Sequence, residues 1–135
     1  MSKSLGNAIE LDSSTAEIVH KIQKAKTDPA RVHKHDPGHP DICPIYAYHR
    51  AFRPQECGEI REGCEKGRMG CSACKQLIAS ALDQLMEPMR ERRAYYAARP
   101  KDVEDILLGG TRRARGIAKE TMLEVREAMC LNYFG

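Results

Sequence analysis

The sequence predicts an all-α protein, a small helical bundle behind a loose amino-terminal arm. Three observations carry that prediction. The 135 residues suffice for one compact core and call for no second independent domain. Aromatic residues are scarce, with no Trp and two Phe, and runs of β-branched residues are nearly absent, so no sheet is expected. Apolar residues also recur at helical spacing along most of the chain.

Met1 to Asp12 holds Ser2, Ser4, Gly6 and Asn7 without helical period and reads as a mobile loop. Ser14-Thr15-Ala16-Glu17 then supplies a capping box, and Thr15, Ile18, Val19, Ile22 and Ala25 share one stripe. A helix is expected from about Thr15 to Lys26. Pro29 disfavours helical geometry at Asp28, and the stretch from there to Asp41 is a loop with Pro37, Gly38 and Pro40. Pro44 and Pro54 each suit the first turn of a short helix. Glycines between Gly63 and Cys71 break continuity. The clearest stripe is Leu77, Ile78, Ala81, Leu82, Leu85 and Met86, interrupted or kinked at Pro88. Val103, Ile106 and Leu107 mark another helix, ended by Gly109-Gly110. Ala114, Ile117, Ala118, Thr121, Met122, Val125, Ala128 and Met129 form a long closing one, which brings the expected number of helices to six.

The formal charge is 22 − 19 = +3, too small to identify a polyanionic partner by itself. Between Met89 and Arg126, however, ten Lys or Arg face six Asp or Glu, with clusters at Arg90, Arg92, Arg93 and at Arg112, Arg113, Arg115. That half suits either phosphate contact or a solvated helix face. No stretch approaches the ~18–20 apolar residues of a membrane span, and the amino terminus is polar, so a cytoplasmic protein is expected. In that compartment six cysteines point to metal or cluster ligation more than to disulfides.

Two constellations carry chemistry. Met1-Ser2-Lys3-Ser4-Leu5-Gly6-Asn7 sets one cation among hydroxyl residues on a glycine-containing loop, which suits closure over a phosphate; a polar terminus without function is the alternative. Cys71 and Cys74 form a C-x2-C pair, with Cys64 six intervening residues earlier and Cys43 twenty before that. Four thiolates at 43, 64, 71 and 74 suit a 4Fe-4S cluster or tetrahedral zinc, with Cys57 as an alternate for Cys43 and free buried cysteines as the remaining reading. Cys130 is expected in the core. His33, His35 and His39 read as loop residues rather than ligands, and His20 and His49 as surface or satisfied polar positions. Tyr95 and Tyr96 suit packing against a neighbouring helix, or stacking on RNA bases.

Met1 to Ser4 matches the KMSKS signature of class I aminoacyl-tRNA synthetases except for its leading lysine. The rest of the chain resembles the tryptophanyl-tRNA synthetases at Leu5-Gly6-Asn7-Ala8-Ile9, Thr27-Asp28-Pro29, Asp36-Pro37-Gly38, Cys43-Pro44, Tyr48-His49, Gly70-Cys71, Cys74-Lys75, Ile106-Leu107, Ala114-Arg115 and Val125-Arg126-Glu127-Ala128-Met129. The resemblance implies an ATP-handling arm over residues 1–14. It also implies an anticodon-binding-type helical domain over 15–135, with a cysteine-rich metal or Fe-S segment at 43–74. Lys3 would be the catalytic lysine that stabilises leaving pyrophosphate, and Met1, Ser2, Lys3 and Ser4 would contact ATP, which acts with Mg2+.

Some bacterial members carry a 4Fe-4S cluster on a similar spacing, so the resemblance favours iron-sulfur over zinc. The implied partners are tRNA-Trp, ATP and tryptophan, and the implied full-length enzyme, a tryptophan-tRNA ligase, is a homodimer. The family's HIGH motif, tryptophan pocket and Rossmann strands precede this signature and are absent from the sequence. The chain is therefore expected to be a carboxy-terminal fragment that binds tRNA without charging it. A stand-alone RNA-binding helical module stapled by metal is the rival reading.

Overall fold

The computed structural model describes residues 3–131, apart from the side chain of Lys3. These residues contain five α-helices and no strand. Helix α1, Thr15–Lys24, starts at the predicted box: Ser14 Oγ accepts from the Glu17 amide at 3.3 Å, and Glu17 Oε2 accepts from the Ser14 amide at 2.7 Å. Two amides at the helix start, those of Ser14 and Glu17, thus find side-chain partners. The helix stops where Ala25 turns extended, within two residues of the expected end.

Pro44 sits in the first turn of α2, Pro44–Phe52. Pro54 opens a short 3-10 turn, Pro54–Glu56, which leads into α3, Cys57–Glu65. Helix α4 then spans Cys71–Ala97 and α5 spans Pro100–Ala128.

The helix end expected at Gly109-Gly110 does not occur, and of the interruption or kink expected at Pro88 the interruption is not seen. Helix α4 passes through Pro88, and α5 passes through Gly109 and Gly110, joining two expected helices into one. Each internal glycine costs about 1 kcal/mol relative to Ala, and neither glycine here adopts the positive φ of a helix-ending turn. Good helix formers on both sides allow propagation to outweigh that penalty.

The chain divides into two compact units, Met1–Arg92 and Arg93–Gly135. The first contains the core: Ile18 and Ile22 from α1, Ile45 from α2, and Ile78, Ala79, Leu82 and Met86 from α4. Ile9 packs against it from the arm. The arm is accordingly less loose than its composition suggests, because the Ala8 carbonyl accepts from Lys21 Nζ at 2.7 Å and the Ser13 carbonyl from Arg90 Nη1 at 3.2 Å. In the second unit α5 buries no residue.

Candidate metal centre and nucleic-acid contacts

Three helices deliver the cysteines. Cys43 caps the start of α2, Cys64 lies in the last turn of α3, and Cys71 and Cys74 occupy the first turn of α4. The turn between α3 and α4 depends on Gly67 at φ +64°, where an added Cβ would come within 2.3 Å of the His35 carbonyl oxygen. The loop after α1 folds over this turn. Its Gly38 amide donates to the Cys64 carbonyl at 3.0 Å, and a Cβ on Gly38 would stand 2.5 Å from Cys64 Sγ. Only a glycine lets that backbone approach the sulfur so closely.

A buried carboxylate holds the loop in shape. Asp28 accepts from the Ala30 amide at 2.9 Å, from the His39 amide at 2.8 Å, and pairs with His39 Nδ1 at 2.8 Å. The His39 ring contact comes first among the influences that hold the Asp28 carboxyl below its usual range, against the opposing effect of burial.

Cys43, Cys64, Cys71 and Cys74 all line one cavity of about 20 Å³, roughly the room that one water needs. Arg31 lines it too. Its Nη1 lies 3.6 Å from Cys64 Sγ and 3.9 Å from Cys71 Sγ, while Nη2 donates to the carbonyls of Lys34 at 2.5 Å and Met69 at 2.7 Å. Its buried Nε has no partner. Burial pushes the Cys74 thiol up to about 12, reinforced by the three neighbouring sulfurs and opposed by Arg31. Cys64 is raised for the same leading reason. Among the described residues no three Cys, His, Asp or Glu side chains are gathered closely enough to hold a metal ion. The donor set nevertheless suits a soft metal: four sulfurs share one cavity beside a glycine cradle, and a metal would displace their protons.

Cys57 does not join them. Its sulfur donates to the Arg53 carbonyl at 3.4 Å and it lines no part of the cavity. Cys130, expected in the core, is exposed at the end of α5. His49, expected at a surface or satisfied position, is fully buried; burial lowers its pKa and its Nδ1 has no partner. The clue was its spacing, since His49 lies four positions beyond the core residue Ile45 and shares its helix face.

Met1, Ser2 and the side chain of Lys3 lie outside the described residues, so the expected ATP contacts are not placed; Ser4 is exposed, and Gly6 turns at φ +62° with open space around it. On α5, Arg112, Arg113 and Arg115 are exposed. Tyr95 and Tyr96 pack edge to face at 5.2 Å, and the Arg99 guanidinium lies 3.9 Å from the centre of the Tyr95 ring. Both tyrosines stay about half exposed.

Residues 1–87 match the family described as tRNA synthetases class I (W and Y). The chain is 41% identical over 133 residues to a tryptophan-tRNA ligase of Aquifex aeolicus, covering 97% of itself and 34% of that relative. It is 40% identical over 135 residues to the one of Thermotoga maritima, covering 98% and 41%. It thus spans about two fifths or less of these relatives' length. The structure of tryptophanyl-tRNA synthetase from Campylobacter jejuni superposes with a TM-score of 0.81 at 27% identity, covering 96% of this chain and 41% of that one.

Proposed function

Because this chain belongs to the class I tRNA synthetases of the W and Y family, we propose that it is the helical portion of a tryptophan-tRNA ligase. The observation that supports the reading is similarity along 97% of the chain, at 41% identity, to a tryptophan-tRNA ligase of Aquifex aeolicus. The whole enzyme would join tryptophan to tRNA-Trp at the expense of ATP in the cytoplasm, and would work as a homodimer. In it Lys3 supplies a positive charge to the departing pyrophosphate of Mg2+-bound ATP, with Ser2 and Ser4 as loop neighbours. The sequence holds no HIGH motif, so these residues alone are expected to give no tryptophan-dependent ATP-pyrophosphate exchange.

The helices contribute RNA contacts. Arg112, Arg113 and Arg115 meet phosphates, a sequence-independent term that weakens with salt. Cys43, Cys64, Cys71 and Cys74 hold an inorganic group, a 4Fe-4S cluster in preference to zinc. When bound, that group staples three helices together and shapes the surface beside the loop at 27–41 without redox catalysis.

Titration of the chain with fluorescent tRNA-Trp transcript tests the reading. Salt-sensitive binding, weakened when Arg112, Arg113 and Arg115 are all changed to Ala, is the expected result. Equal binding of an unrelated tRNA and tRNA-Trp, unmoved by the triple change, would reject it.

A further inference from the structure

His49 is buried at 0% exposure on α2, facing the first turn of α4. Its Nε2 lies 3.1 Å from the Cys74 carbonyl oxygen and 3.3 Å from Cys74 Sγ. A carbonyl oxygen can only accept, so Nε2 must carry the hydrogen and Nδ1 must be the bare nitrogen. The tautomer agrees with the surroundings: Nδ1 is the ring atom left buried without a partner. A single N–H therefore serves a backbone atom and the sulfur of the same cysteine.

This arrangement does something that ordinary core packing does not require. The carbonyl fixes the ring, and the fixed ring aims its N–H at the sulfur. A thiolate accepts such a bond more strongly than a thiol, because charge-assisted hydrogen bonds are the stronger kind. Cys74 packs against the hydrophobic core, and the fully buried His49 ring stands beside its sulfur.

We propose that His49 is a positioning residue of the thiol pocket: its Nε2–H orients the Cys74 sulfur toward the cavity and stabilises it as a thiolate ligand. The inference rests on the reading of Cys43, Cys64, Cys71 and Cys74 as one metal site. Arg31 approaches Cys64 and Cys71 from the loop side, so His49 is the donor that serves Cys74 from the core side.

The test uses the whole chain, freed of metal and handled without oxygen, with Co2+ as probe and thiolate-to-cobalt charge-transfer absorption as the readout. Wild type should bind. His49→Leu should bind about 10- to 100-fold more weakly, the usual loss when an outer hydrogen-bond partner of a metal ligand is removed. His49→Gln, which keeps an N–H donor, should restore most of that affinity. A packing role alone predicts no rescue by Gln, and equal affinity and spectrum for wild type and His49→Leu would overturn the inference. Failure of wild type to take up Co2+, or iron with sulfide, would instead reject the metal site itself. Should His49→Leu not fold, nitrogen NMR of wild type still decides. The hydrogen should reside on Nε2, with its resonance shifting on metal loading; a hydrogen on Nδ1, or no shift, would overturn the assignment.

Discussion

Ile78 in the first unit is fully buried, whereas Ile117 in the second keeps 67% of its surface exposed, although both sit on regular helical stripes. The same contrast separates the whole units. Ile18, Ile22, Ile45, Ile78, Leu82 and Met86 meet from three helices, while Ile106, Leu107, Met122 and Val125 stand on a helix that buries nothing. Periodicity identifies which face is apolar, and only a second element brought across that face turns it into a core.

Paired truncations should show the difference at full size. Ile78→Ala should cost about 2–5 kcal/mol of unfolding free energy, and Ile117→Ala should stay within about 0.5 kcal/mol, as read by urea titration. Similar losses at both positions would mean that α5 is covered in solution.

Glycines should sharpen the contrast with a change of sign. Gly67→Ala places a side chain at positive φ and against the His35 carbonyl, for an expected cost of about 1–3 kcal/mol. Gly110→Ala has open space on an α-helix and should stabilise by about 0.5–1 kcal/mol. A gain at Gly67 would show that the turn carrying Cys64 toward Cys71 is not built as described.

A smaller effect concerns acid. The Asp28 carboxyl is held below its ordinary value, so it stabilises the fold above the unfolded-state pKa of about 3.9 and loses that contribution as pH falls through the lower folded value. Melting temperature should therefore fall from about pH 5 toward about pH 2, and less steeply in Asp28→Asn. Identical slopes would remove Asp28 from the loop's support.

Local signals were the readable ones. The Ser14–Glu17 box and Pro44 as a helix start act within one or two turns and appear where the sequence puts them, and of the Leu77–Met86 stripe Ile78, Leu82 and Met86 are buried while Leu85 is exposed. The C-x2-C pair belongs with these, since three residues of helix fix both sulfurs on one side. Where α4 and α5 run on past Pro88 and past Gly109-Gly110, the outcome turned on whether propagation across the break outweighed a local penalty, a balance that residue type alone does not settle. Arg31 beside two sulfurs and His49 beside a third are separated from their partners by 25 to 40 residues, and no spacing rule reaches across such a distance.

Cys43, Cys64, Cys71 and Cys74, delivered by three helices, are proposed to hold one inorganic group. Iron, sulfide and zinc analysis of the chain purified without oxygen decides whether they do. Brown protein with bound iron and acid-labile sulfide is expected, both lost in Cys64→Ser. Colourless protein without iron, its thiols at 43, 64, 71 and 74 all open to alkylation, would rule the shared site out.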